Sequence, residues 1–299
     1  MSNQPFRLSF ANRSAINLQM RKYLFYLLIF GLIGCGASES DVVRGTVSPI
    51  QVRVVSWDHA AGEFRLSFAL LDGPEAADNI TAVSLQIFSI DDDQETAVWQ
   101  GSATSFSDYE IPYWTAHPTV TEAGFWGVNA ELNTTDGETI ASDFIIEVVA
   151  ESGSPLLGDV PPASQNKTLA TESDLTKLSS GPDPNPAYYQ LTVAEALAQD
   201  KPIVVGFITP GLCQTEWCAP VLGSVDSIRE AVGDSANFIH IEVFDDFQAL
   251  TLVPEMAEWG LDTREPWVFV LNQEGQVTAK FSGPLSPREL DEALRPLIE

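Results

Sequence analysis

The chain has 299 residues, 44% of them hydrophobic, and carries 42 acidic side chains against 15 basic ones for a formal charge of −27. Such a charge is repelled by phosphate backbones and anionic lipid surfaces, so no nucleic-acid partner is expected, and solubility is its simplest role. The length exceeds one compact core, and two domains are expected.

Arg21 and Lys22 precede an apolar run from Tyr23 to Ile33, and Gly34 and Cys35 come directly after it. A basic start, a short apolar core and a small residue before the cut make a secretory signal peptide, because the run falls well short of the ~20 residues that span a bilayer. The tetrad Leu32-Ile33-Gly34-Cys35 resembles the lipobox of bacterial lipoproteins. That resemblance implies cleavage after Gly34 and acylation of Cys35, which would anchor the protein at ~0.8 kcal/mol per buried CH₂. The alternative is an uncleaved apolar segment with a chance cysteine. Met20 directly precedes the basic pair, so residues 1–19 read as an upstream extension set by start-codon choice. The implied division is a signal peptide over 1–34 and a polar, lipidated tether over 35–48. Gly36 rather than an aspartate stands after the cysteine, which by resemblance to known sorting patterns implies the outer membrane, facing the periplasm, in a two-membrane bacterium. In other bacteria the outer face of the plasma membrane is implied. Removal of 1–34 takes four basic residues and no acidic one, moving the charge from −27 to −31. Only Cys213 and Cys218 then remain, and one close pair in an exported chain points to a disulfide or a redox couple.

From Ile50 to about Val149 the pattern has period two. Phe64, Leu66, Phe68 and Leu70 alternate with polar or small residues, as do Val83, Leu85 and Ile87, then Trp126, Val128, Ala130 and Leu132. This is the pattern of strands with one buried face, and Asp72-Gly73 and Asp136-Gly137 mark turns between them. Six or seven such strands over 49–150 resemble an all-β immunoglobulin-like or fibronectin-like sandwich. His59 and His117 are isolated and read as surface residues, and no cofactor or metal set is expected.

Residues 151–187, with Pro161-Pro162, Ser179-Ser180-Gly181 and Pro182, Pro184 and Pro186, read as a linker, part of which packs on the C-terminal domain. Beyond it helix and strand alternate. Thr192-Val193-Ala194-Glu195 is a capping box opening a short helix. Pro202 to Ile208 is a buried strand, and Val221, Leu222, Val225, Ile228 and Val232 recur at helical spacing. Phe238 to Val243 form a second strand. Trp267 to Leu271 and Val277 to Phe281 form a hairpin joined at Glu274-Gly275. Ser286 caps a last helix with a buried stripe of Leu290, Leu294 and Leu297. The sum is an α/β sandwich with a mixed sheet.

That order over 188–299 resembles the thioredoxin fold. Lys201 to Phe207 looks like its central strand, and Trp217-Cys218-Ala219-Pro220 looks like its redox motif at the start of the long helix. Glu265-Pro266 stands where the family carries its cis-proline, facing the reactive cysteine, and Gly283 also matches. The chain departs from the family at two points. The second motif cysteine falls on Val221, and the buried carboxylate that assists proton transfer falls on Gly206. Cys213, five residues upstream, would instead complete a Cys-x₄-Cys pair.

The resemblance implies thiol–disulfide exchange with exported protein thiols or a redox partner protein, with Cys218, Cys213 and Pro266 as its site. A thiol at a helix N-terminus gains from orphan N–H donors and the dipole, so Cys218 is expected to attack and Cys213 to resolve. The alternative is a non-enzymatic binding lipoprotein whose Cys213–Cys218 disulfide is structural. A third reading is copper handling through both cysteines and His240. A peroxidase is set aside for want of a Thr-x-x-Cys peroxidatic motif and a matching arginine.

Overall fold

The computed structural model describes residues 48–90, 96–213 and 215–299. The signal peptide and Cys35 lie outside them. No helix among the described residues is long and apolar enough to cross a membrane.

The fold is β-rich, with several separate sheets. Its first eight main strands are β1 (Ile50–Val54), β2 (Leu66–Asp72), β3 (Ile80–Ser89), β4 (Trp99–Ser102), β5 (Thr104–Phe106), β6 (Tyr113–Ala116), β7 (Gly124–Thr134) and β8 (Thr139–Val148). One sheet runs β1-β2-β6-β5, with the two-residue strand Glu75–Ala76 beside β2, and a second runs β8-β7-β3-β4. All these pairings are antiparallel. The period-two pattern explains the packing. Leu66, Phe68 and Leu70 of one sheet meet Val83, Leu85, Ile87, Val128, Ala130 and Leu132 of the other in a shared core. The turn joining β7 to β8 uses Gly137 at φ 87°, a conformation that costs glycine little. His59 is buried rather than superficial: Ser56 Oγ lies 2.8 Å from its Nε2, and its ring lies 5.1 Å from that of Phe64.

A third sheet is built from β9 (Ile203–Phe207), β10 (Asn237–Ile241), β13 (Trp267–Leu271) and β14 (Val277–Ser282), with a short hairpin, β11 (Phe244–Asp246) and β12 (Thr251–Leu252), in between. Its order is β10-β9-β13-β14, with β9 and β10 parallel and the other pairs antiparallel. The helices are α1 (Val193–Leu197), α2 (Cys218–Val232), α3 (Pro254–Glu258) and α4 (Pro287–Ile298). Both faces of this sheet are covered, which is why β9 reads as an unbroken apolar run. Val221, Val225 and Ile228 of α2 and Leu290 and Leu294 of α4 pack with Val204, Val268 and Val270. On the other face Val193 and Ala196 of α1 and Met256 and Trp259 pack with Val205, Phe207 and Phe269. Thr192 and Glu195 close the capping box reciprocally, and Ser286 Oγ accepts the Glu289 amide at the start of α4.

Residues 151–187 lie against their neighbours. Ser152 and Ser154 meet Asp58 and Lys280, Ser164 Oγ bonds Glu258 and accepts from Trp259 Nε1, and the Ser180 amide donates to Glu242. Residues 47–299 make one compact unit. Gly283 sits at φ 82° where the β14–α4 connection meets the end of β1, and a Cβ there would collide with the Val55 carbonyl oxygen.

Candidate functional site

The Cys213 and Cys218 sulfurs are joined in a disulfide with Cα atoms 6.1 Å apart. Cys218 is the first residue of α2, after Trp217 at the cap position, and no side chain caps that end. The two sulfurs differ in access: Cys218 is fully buried, whereas Cys213 is partly exposed. The Thr215 hydroxyl lies beside the disulfide, 3.3 Å from Cys213 Sγ and 4.0 Å from Cys218 Sγ. Contrary to the expectation from sequence, a Thr-x-x-Cys spacing is present, with Thr215 three residues before Cys218. Cys218 is nonetheless shut from solvent in this state.

The N-terminal sheets pack on Trp217, the neighbour of Cys218. Trp217 is buried against Val55 and Ala69, and its ring meets that of Tyr113 edge-on at 6.5 Å. Beside it opens a cavity of about 670 Å³ whose walls include Arg53, Trp57, Trp217, Leu250, Arg264 and Glu265.

Opposite α2 the Glu265–Pro266 bond is cis. Glu265 is buried, and sequence reasoning passed over it as a member of the proline dipeptide. A carboxylate oxygen of Glu265 and the two sulfurs all lie within 4.8 Å of one another. Its Oε2 has no hydrogen-bond partner. Burial pushes the Glu265 carboxyl up to about 7; hydrogen bonding to Thr209 holds it down in part and the Glu242 charge adds to the rise. The register explains the neighbour: Phe207 pairs with Trp267, so two residues further along each strand Thr209 comes beside Glu265. A charged residue two positions before an apolar strand was the available sequence signal.

His240 is placed elsewhere. It sits in β10, buried, with Nδ1 2.7 Å from the Tyr189 hydroxyl and Nε2 2.7 Å from the Ile208 carbonyl oxygen. A carbonyl only accepts, so Nε2 donates and Nδ1 accepts from Tyr189. Both ring nitrogens are engaged, and neither offers a lone pair to a copper ion. Burial keeps the imidazole below its ordinary range, against the opposing charge of Glu242. Glu242 itself accepts from the Ser180 and Val243 amides and from the Thr209 hydroxyl. Among the described residues, the sulfur–carboxylate group around Glu265 is the one cluster of that chemistry. While the disulfide is closed, its sulfurs are bonded to each other and present no thiolate.

No protein-family model matches the chain, and no curated protein matches it. Solved structures are similar over parts of it. CopC from Methylosinus trichosporium OB3b aligns at 15% identity and a TM-score of 0.25, covering 34% of this chain and 96% of that one. A DsbF homologue from Corynebacterium diphtheriae aligns at 19% identity and a TM-score of 0.29, covering 36% of this chain and 77% of that one.

Proposed function

We propose that the chain is a membrane-anchored, exported lipoprotein in which a thioredoxin-like domain over 188–299 exchanges disulfides with protein thiols, carried on an immunoglobulin-like sandwich over 49–150. The observation that carries the reading is the disulfide at the N-terminus of α2, with Glu265 of the cis Glu265–Pro266 pair within 4.8 Å of its sulfurs. The helix end favours the Cys218 thiolate, and a stabilised thiolate is a better leaving group. The cavity beside Trp217 offers an apolar wall and two arginines to an extended client segment. The reduction potential of the Cys213–Cys218 couple tests this directly. A value of about −120 to −270 mV fits a working pair, and one below about −300 mV fits a structural disulfide.

One observation favours the second reading, a binding lipoprotein with a permanent Cys213–Cys218 staple. Cys218 is fully buried and Trp217 is clamped by Val55 and Ala69. In that reading the N-terminal sheets are the interaction module.

A further inference from the structure

The position at which the thioredoxin family keeps its buried carboxylate is Gly206 here, so the central strand supplies no acid. Proton traffic at Cys218 then needs another group, because a fully buried sulfur cannot exchange its proton with water. Glu265 is the carboxyl in reach. It is buried, has an oxygen without a hydrogen-bond partner, and lies within 4.8 Å of both sulfurs.

We propose that Glu265 is the proton partner of the Cys213–Cys218 couple, giving a proton to Cys218 as the disulfide opens and taking it back as it closes. The inference rests on the exchange reading above. A client thiolate attacks the accessible Cys213 sulfur. A client–Cys213 disulfide forms, the Cys213–Cys218 bond breaks, and its electron pair leaves on Cys218 as thiolate. The Glu265 carboxyl transfers its proton to that thiolate and becomes a carboxylate. The client's second thiolate then displaces Cys213, so the client leaves oxidised and the pair is left reduced. In the reverse direction the Glu265 carboxylate withdraws the Cys218 proton and restores the nucleophile.

The surroundings fit a donor that is neutral below pH 7 and charged above it. Burial lifts the carboxyl to about 7, with Thr209 opposing and Glu242 reinforcing the rise. The other charged groups near it are Arg264, adjacent in sequence, and Arg53 from β1, both on the wall of the same cavity. Neither arginine forms an ion pair with Glu265: Arg264 pairs with Asp262, and Arg53 with Glu216 at 3.7 Å.

The test opens the disulfide of the full-length chain with glutathione between pH 5 and 9, scoring free cysteines by acid quench and alkylation. Rates are divided by the concentration of glutathione thiolate. The wild-type rate should be highest below pH 6 and fall through an inflection near 7. Glu265→Gln should lose the inflection and run about 100-fold slower at pH 6, the lower end of what a positioned acid contributes. Glu265→Asp should keep the inflection at a reduced rate. A Glu265→Gln protein with the wild-type rate and inflection overturns the assignment. If that variant does not fold, a wild-type profile without the inflection overturns it alone. A wild-type disulfide that glutathione cannot open overturns the exchange reading itself.

Discussion

Arg65 and Glu289 form a bidentate ion pair across the junction between the N-terminal sheets and α4, with Nε 2.6 Å from Oε1 and Nη2 2.8 Å from Oε2. Both side chains are 8% exposed. The Tyr113 hydroxyl donates to Glu289 Oε2 over 2.6 Å and accepts the Ser286 amide at 2.8 Å, while Arg65 also donates to the Ser282 and Pro284 carbonyls. Glu289→Ala leaves a buried guanidinium without its counter-charge and should cost ~3–5 kcal/mol, whereas replacing both partners with apolar residues of similar volume should cost far less. Denaturant unfolding of the single and double variants checks this. Equal losses for the two would mean that the pair is not acting as a unit.

Stability should respond to pH through two buried groups of opposite sense. Glu265 ordinarily titrates at 4.5 and is held at about 7 by burial, so its folded form keeps the proton longer. Its contribution is whole below pH 4.5 and is lost as pH rises through about 7. His59 ordinarily titrates at 6.5 and is lowered to about 4 by burial, against the raising influence of Asp58. Its contribution is whole above pH 6.5 and is lost as pH falls through about 4. At about 1.4 kcal/mol per pH unit each is worth on the order of 3 kcal/mol, and where the two ranges overlap the slopes oppose. Glu265→Gln should therefore make stability rise more steeply from pH 4.5 to 6.5 than in the wild type, and His59→Gln should make it fall. Guanidinium unfolding at four pH values separates the three curves. Parallel curves would dismiss both assignments.

The elements were legible in the chain because their signals are local. Alternation placed Leu66, Val83 and Val128 inward, the Thr192 capping box opened α1, and the step from Asn272 to Gln276 around Gly275 made the hairpin of β13 and β14. Relationships that need two distant segments to meet were not legible. Nothing in the local pattern around Arg65 announces Glu289, 224 residues away. His59 looked like an isolated polar residue, and only the fold brings Ser56 and Phe64 around it. The short hairpin β11–β12 carries too little pattern over Phe244–Asp246 and Thr251–Leu252 to be read as strands. At the site, the cysteine pair and Pro266 were named from sequence. The importance of Glu265 depends on its depth and its distance to sulfur, which sequence does not contain.

Lipidation is tested apart from the fold, since Cys35 lies outside the described residues. Cys35→Ser should abolish labelling by radioactive palmitate and move the protein from the membrane to the soluble fraction of the cell envelope, or stop its maturation. A single thiol carries the whole anchor in this proposal, so the effect should be all or none. Membrane association unchanged in the variant would remove the lipoprotein from the reading.

Trapping decides which sulfur meets the client. The helix end had pointed to Cys218 as the attacking thiol, but burial points the other way. Cys218 is 0% exposed, buried in the core shared by α2 and the third sheet, while Cys213 is partly open on the loop before α2. Exchange needs the incoming sulfur to reach the one it attacks, so access limits the reaction before thiolate stability can matter. The client disulfide should therefore form on Cys213, with Cys218 as the helix-stabilised leaving group and later the resolving thiol. Cys218→Ser should accumulate mixed disulfides through Cys213, because the Cys218 thiol that would displace the client from Cys213 is gone. Cys213→Ser should accumulate few, because its one thiol is enclosed. Alkylation of the reduced protein should likewise modify Cys213 first, although Cys218 has the helix end. Trapping chiefly by Cys213→Ser would restore Cys218 as the attacking group and require its burial to be relieved in the reduced protein. Absence of trapping in both variants, with a couple below about −300 mV, would leave the structural staple as the function of the pair.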